Sequence, residues 1–135
     1  MGYSFEDLQT GMSASYTRRV TENDINNFAQ VSGDTNPLHL DAAFAASSMF
    51  GSRIAHGLLT ASFISAVIGT KLPGDTAVYL SQSLRFMAPV RIGDEVSATA
   101  TVMALDKARR RVTLETVCSV AGKTVLSGEA LVLIP

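Results

Sequence analysis

The sequence predicts an α+β fold in which one long apolar helix is wrapped by a curved antiparallel sheet. Three observations carry that expectation. The segment GLLTASFISAVIGT, residues 57–70, holds no charged side chain and is apolar nearly all round, so other structure must cover it. Four strand-like runs follow, over 78–86, 95–105, 111–120 and 124–134, separated by the turn-forming stretches PVRIGD, DKAR and AGK. The whole chain is 135 residues and 47% hydrophobic, a size that fills a single core, so one domain over 1–135 is expected.

Taken in order, residues 13–20 alternate as a short strand does. Thr21 then offers an N-cap hydroxyl, with Asp24 three residues on as an imperfect capping box, and a helix over 22–31 follows. Its Ile25, Phe28, Ala29 and Val31 lie mostly on one face, and Ser32-Gly33 supplies the stop. In the next stretch, GDTNPLHL, Pro37 fixes its own φ and pushes Asn36 out of the α region, so this loop is expected to stay non-helical. Asp41 can cap a second short helix over 42–48, and 49–56, with Gly51 and no period, reads as a loop. The helix over 57–70 would extend about 20 Å.

In the strands, Val96, Ala98, Ala100 and Val102 alternate with polar neighbours. Val112, Leu114, Thr116, Cys118 and Val120 do the same, so each strand has one core face. One sheet of this size cannot cover a helix on every side, and the outward Ala77, Tyr79 and Val117 are apolar, so at least a homodimer is expected.

Several classes fall away on composition. Eleven basic and twelve acidic side chains nearly cancel, leaving no field to gather nucleic acid or an anionic membrane. The longest uncharged stretch, 54–70, carries His, Ser, Thr and Gly and falls short of the roughly 18 apolar residues of a membrane span. The start MGYSFEDLQTG has no secretory pattern, so a cytoplasmic location is expected. Cys118 is the single cysteine, which rules out an intrachain disulfide and a thiolate-rich metal site and fits a buried apolar position.

The residues with chemistry to offer are few. Asp34 and His39 stand five apart across a turn stiffened by Pro37, and Asn36 can tie that turn with its amide. A carboxylate and an imidazole sharing one water suit general acid–base work, in which one group takes a proton while the other orients the water. The same residues would equally serve a purely structural turn, with Asp34 as a cap and His39 hydrogen-bonded in the core. A second segment, Ile54-Ala55-His56-Gly57, puts a glycine at the start of the apolar helix. There the unpaired amides and the positive end of the dipole could hold an oxyanion, and the missing Cβ would allow a carbonyl to approach. An ordinary N-terminal glycine explains the residue just as well.

Gly33-Asp34-x-Asn36-Pro37-x-His39, then Ala55-His56-Gly57, then an apolar helix, together resemble the MaoC-like (R)-specific enoyl-CoA hydratases. The stretches AAFAASSMFGSRIAHG and SQSLRFMAPVRIGDEV fit the same family in the same order, so the resemblance spans nearly the whole chain. It implies a homodimeric hot-dog fold and reversible syn hydration of trans-2-enoyl-CoA to (R)-3-hydroxyacyl-CoA, with no metal and no organic cofactor. Asp34 and His39 would be the catalytic pair and the Gly57 amide would hold the thioester oxygen. Asn36 would support the pair and Ser65 would line the acyl site, with Ser62 and His56 as further substrate-binding or supporting residues. Arg53, Arg85 or the run Arg109-Arg110-Arg111 could meet the CoA phosphates. The readings kept beside this one are a dehydratase acting on acyl carrier protein or a specialised enoyl thioester, an acyl-CoA thioesterase, and an acyl-CoA sensor without turnover.

Overall fold

The computed structural model describes residues 2–135. Strand β1 (Ser13–Arg19) leads into α1 (Glu22–Ser32). The capping box at the start of α1 is complete: Asp24 N donates to Thr21 Oγ1 and Thr21 N donates back to Asp24 Oδ2, both at 3.1 Å. The short aspartate side chain reaches far enough for this. The Arg18 guanidinium steadies it from β1, with donors 2.7 and 3.2 Å from its two oxygens. At the other end Gly33 takes φ 81° and donates to Ala29 O at 2.9 Å, which closes the helix.

The stretch expected to stay non-helical contains one turn of helix, α2 (Pro37–Leu40). Pro37 sits at the first helical position, where the lost N–H has no intrahelical partner and the fixed φ suits the helix, so the proline starts the turn instead of preventing it. Asn36 is outside the α region at ψ 128° and serves as the cap, its Oδ1 accepting from Leu38 N at 2.9 Å. Helix α3 (Ala42–Ala46) is capped by Asp41. It ends two residues before the expected 48, where the Ser47 and Ser48 hydroxyls donate to Phe44 O and Ala45 O at 2.9 and 2.6 Å and close the chain into turns. Helix α4 (Gly57–Thr70) has the expected bounds.

The remaining strands are β2 (Val78–Gln82), β3 (Arg85–Phe86), β4 (Glu95–Asp106), β5 (Arg111–Val120) and β6 (Lys123–Leu133). They form one antiparallel sheet in the order β1-β4-β5-β6-β2, with β3 also paired to β6. The run 78–86 is therefore two strands instead of one. Ser83 crosses β6 at Gly128, where any Cβ would collide with the Ser83 carbonyl, and that close passage breaks the ladder. Val120, expected in the core, is only partly buried, because the register shifts between Cys118 and Ser119.

The sheet curves around α4, which packs on β4, β1 and β5. Ala98 and Ala100 of β4, both fully buried, leave room for the helix to lie close to the sheet. Against them α4 buries Leu59, Phe63, Ile64, Val67 and Ile68. The cover is one-sided. Leu58, Ser62, Ser65 and Gly69 form an outward stripe, so in a single chain the helix is open along one line, as expected where one sheet of this size covers it.

Candidate active site

The end of α1, α2, the approach to α4 and the β3–β6 pair enclose a cavity of about 660 Å³. Its wall is mostly apolar, with Phe28, Ile54, Leu58, Phe86 and Leu126 among the lining residues, and the polar exceptions include Asp34, His39, His56 and Thr60. Asp34 and His39 meet at its edge, His39 Nε2 3.9 Å from Asp34 Oδ2, with the histidine side chain 11% exposed and the aspartate 52%.

Backbone anchors set the orientation of both. His39 Nδ1 is 2.8 Å from Ile54 O; a carbonyl only accepts, so Nδ1 carries a proton, and in the ring's neutral form Nε2 presents its lone pair toward Asp34. On the aspartate, Asn36 N donates to Oδ1 at 3.3 Å, while Asp34 N donates to Ser32 Oγ at 3.1 Å. Oδ2 is the oxygen that faces His39. Two acceptors 3.9 Å apart cannot bond to each other, but a single water between them can donate one O–H to each. Behind the pair, Arg53 Nε donates to His39 O at 2.6 Å, and its other nitrogens are held by Glu22 and Asn26 at 2.9 and 3.0 Å.

His56 is 2% exposed and its ring stacks on His39, centroids 3.8 Å apart and planes 27° from parallel. Its Nε2 lies 2.9 Å from Asp34 O. Asp34, His39 and His56 offer donor atoms within 4.8 Å of one another. In a stack, however, the in-plane lone pairs run nearly side by side, and one nitrogen of each ring is committed to a carbonyl. The cluster is built to move protons more than to converge on a cation.

Gly57 is the first residue of α4. The amides of Leu59 and Thr60 are the first to reach His56 O, at 3.0 and 3.3 Å, so those of Gly57 and Leu58 lie ahead of the helix's own acceptors. A Cβ at Gly57 would collide with the Phe86 ring. The glycine thus leaves room for the aromatic side chain.

Other expected residues lie elsewhere. Ser62 Oγ donates to Leu59 O at 2.5 Å, within its own helix, and Ser65 stands on the outward stripe of α4; neither lines the cavity of a single chain. Eight residues past Gly57, Ser65 is about 12 Å further along the helix axis, which explains its distance from the dyad. Arg53 cannot serve CoA phosphates, because Glu22, Asn26 and His39 O engage its guanidinium. Arg110 is similarly engaged by Glu6 and Ile134 O. Residues that the sequence reading missed include Ser32, whose spacing to Asp34 is a serine-turn signature that could have revealed it. Phe28, expected on the apolar face of α1, also lines the cavity. Phe86 and Leu126 join the wall because they are direct partners across β3 and β6, a pairing with no local signal.

With this geometry established, comparison with known proteins adds the lineage. Residues 5–124 match the MaoC like domain family. An (R)-specific enoyl-CoA hydratase from Rhodospirillum rubrum is 53% identical over 131 residues, covering 97% of this chain and 91% of that protein. A 3-hydroxybutyryl-CoA dehydratase from Methylorubrum extorquens is 52% identical, covering 97% of this chain and 83% of that protein. Among solved structures, an R-hydratase from Pseudomonas aeruginosa in the unliganded form superposes with a TM-score of 0.94 at 44% identity, covering 99% of this chain and 86% of that one. The sheet curved about α4, the two-histidine cluster beside Gly57 and a family match over most of the chain agree: this protein belongs to the MaoC-like hydratases of the hot-dog fold.

Proposed function

We infer that the protein is an (R)-specific enoyl-CoA hydratase, adding water reversibly across the double bond of a trans-2-enoyl-CoA. The observation that carries the reading is the facing of Asp34 Oδ2 and His39 Nε2 at 3.9 Å over an apolar cavity. It is supported by relatives that include an (R)-specific hydratase at 53% identity.

In the forward direction Asp34 accepts a proton from the held water as its oxygen bonds to C3. The C2–C3 π electrons move toward the thioester, and the enolate-like oxygen is stabilised by the Gly57 amide at the N-terminus of α4. A proton returned by Asp34 or His39 to C2 completes the addition. Both residues stand on one wall of the cavity, so oxygen and proton arrive on one face, which is syn addition. Asn36 supports the pair through the α2 cap. No metal or organic cofactor enters the scheme.

For the CoA phosphates, Arg85, Arg109 and Arg111 are the better candidates, since Arg53 and Arg110 are engaged. A homodimer fits the exposed Val78, Tyr79 and Leu80 on edge strand β2 and the open stripe of α4; a second copy over that stripe would bring cover to Ser62 and Ser65. A single domain over 1–135, a cytoplasmic location and no nucleic-acid partner complete the reading. Among the described residues no helix is long and apolar enough to cross a membrane.

The test is loss of the conjugated enoyl thioester absorbance with crotonyl-CoA and longer trans-2-enoyl-CoAs, the product's chirality being read with (R)- and (S)-specific dehydrogenases. Rapid loss with (R)-product is expected. Release of free thiol instead indicates a thioesterase, and turnover confined to acyl carrier protein thioesters indicates the dehydratase reading.

A further inference from the structure

We propose that His56 is a positioning residue that sets the distance between the two catalytic groups, acting on Asp34 through its backbone and on His39 through its ring; the proposal rests on the hydratase reading above. The observation behind it is a two-way clasp between the Asp34–His39 loop and the Ile54–His56 segment. His39 reaches from the loop to Ile54 O at 2.8 Å, and His56 reaches back from the segment to Asp34 O at 2.9 Å. The rings stack at 3.8 Å as they cross. Each histidine is therefore held by the backbone of the other's neighbourhood, and neither the Asp34 main chain nor the His39 plane can shift without disturbing His56.

The surroundings make the clasp rigid. Ala55 N donates to Val90 O at 2.7 Å, and Ile54 bridges to Arg91, so the segment carrying His56 is tied to the chain entering β4. On its other side the His56 ring meets Phe28 at 4.9 Å between centroids. The carbonyl of Asp34 requires a donor, which fixes the His56 tautomer with its proton on Nε2. Its Nδ1 is buried and has no partner among the described residues, which keeps that atom out of reach of substrate. A phenylalanine would supply the flat ring without the donor, and a glutamine the donor without the ring. The geometry uses both properties of histidine at once.

The variants His56→Gln and His56→Phe separate the two properties. With crotonyl-CoA hydration measured per folded molecule, H56Q is expected to lower kcat about tenfold and H56F on the order of 10², with KM changed less than about threefold, because displacement of a reacting group by a fraction of an ångström acts on the transition state. The milder loss in H56Q is rescue by the variant that keeps the donor. Since the His56 donor acts through Asp34, and H56F is the variant that removes that donor, adding H56F to D34N should cost much less than H56F costs alone. Wild-type kcat per folded molecule in both variants, or losses that multiply in the double variant, would overturn the proposal.

A readout independent of turnover is ¹⁵N NMR of the imidazoles, which is simple because the chain has two histidines. In wild type the neutral rings are expected to be of opposite tautomer, Nδ1–H for His39 and Nε2–H for His56. In H56F the remaining ring should lose its pure Nδ1–H signature as the clasp loosens. An unchanged His39 signature in a folded H56F refutes the clasp even if the protein proves not to hydrate enoyl-CoA, whereas an inactive wild type with the expected tautomers refutes only the activity.

Discussion

Helix α4 and the 33–39 turn meet beside Gly57 and are built on opposite principles. The buried face of α4 is apolar but for Thr60, and little but packing against β4, β1 and β5 holds it. The turn is exposed along most of its length and is held by directed bonds: Asp34 N to Ser32 Oγ, Leu38 N to Asn36 Oδ1, and His39 Nδ1 to Ile54 O. Apolar packing stabilises without specifying direction, whereas short hydrogen bonds specify direction while adding about 1 kcal/mol each. Hence α4 supplies free energy and the turn supplies geometry, and damage to the two should register in different measurements.

The largest expected effect lies in α4. Ile64→Ala removes a side chain that is 1% exposed and should cost about 2–5 kcal/mol in denaturant unfolding, with turnover per folded molecule near wild type. An equal fall in turnover would mean that packing under α4 sets the site as well, and the contrast would break. In the turn, Asp34→Asn should lower turnover on the order of 10² or more with the thermal midpoint nearly unchanged. Wild-type activity in that variant removes Asp34 from the mechanism.

Gly57→Val tests the junction. Its branched side chain must displace Phe86 and intrude where the carbonyl approaches, so turnover should fall roughly tenfold or more. The stability loss should be modest because Phe86 is 55% exposed and able to move. An unaffected rate would place the oxyanion site elsewhere.

The smallest effect belongs to Asp24, which anchors α1 to β1 at a distance from the chemistry. Hydrogen bonding from the Arg18 guanidinium holds its carboxyl below the ordinary 3.8. The folded state thus binds the proton less tightly than the unfolded chain does. The stabilisation is complete above about pH 3.8 and is lost as pH falls through the depressed folded value. Asp24→Asn should cost about 1 kcal/mol at neutral pH, flatten this part of the acid denaturation curve and leave turnover per folded molecule unchanged. A cost that persists undiminished at pH 2 would assign it to the cap instead of the charge.

The elements with a strong period are legible in the amino-acid sequence. Helix α4 and strand β5 have their expected bounds, because a continuous apolar run and a strict alternation each admit one conformation. Pro37 misled because its effect depends on position: inside a helix it disrupts, at the first residue it initiates. The 78–86 run misled because its break is imposed by Gly128 on another strand.

For the site, residue order along the chain settles which groups are available: one carboxylate and one imidazole across a proline-stiffened turn, and a glycine opening an apolar helix. Local chain stiffness and residue chemistry suffice for that. How those groups are aimed depends on contacts made across the fold. The His39 tautomer depends on Ile54 O and the seat of Asp34 on His56 Nε2, fifteen and twenty-two residues away in the chain. Ser65 drops out of the single-chain cavity through helical phase and distance. Arg53 is withdrawn from CoA by partners on α1. Hydrogen-bond direction and burial are properties of chain segments brought together, and no local pattern encodes where a distant carbonyl will stand.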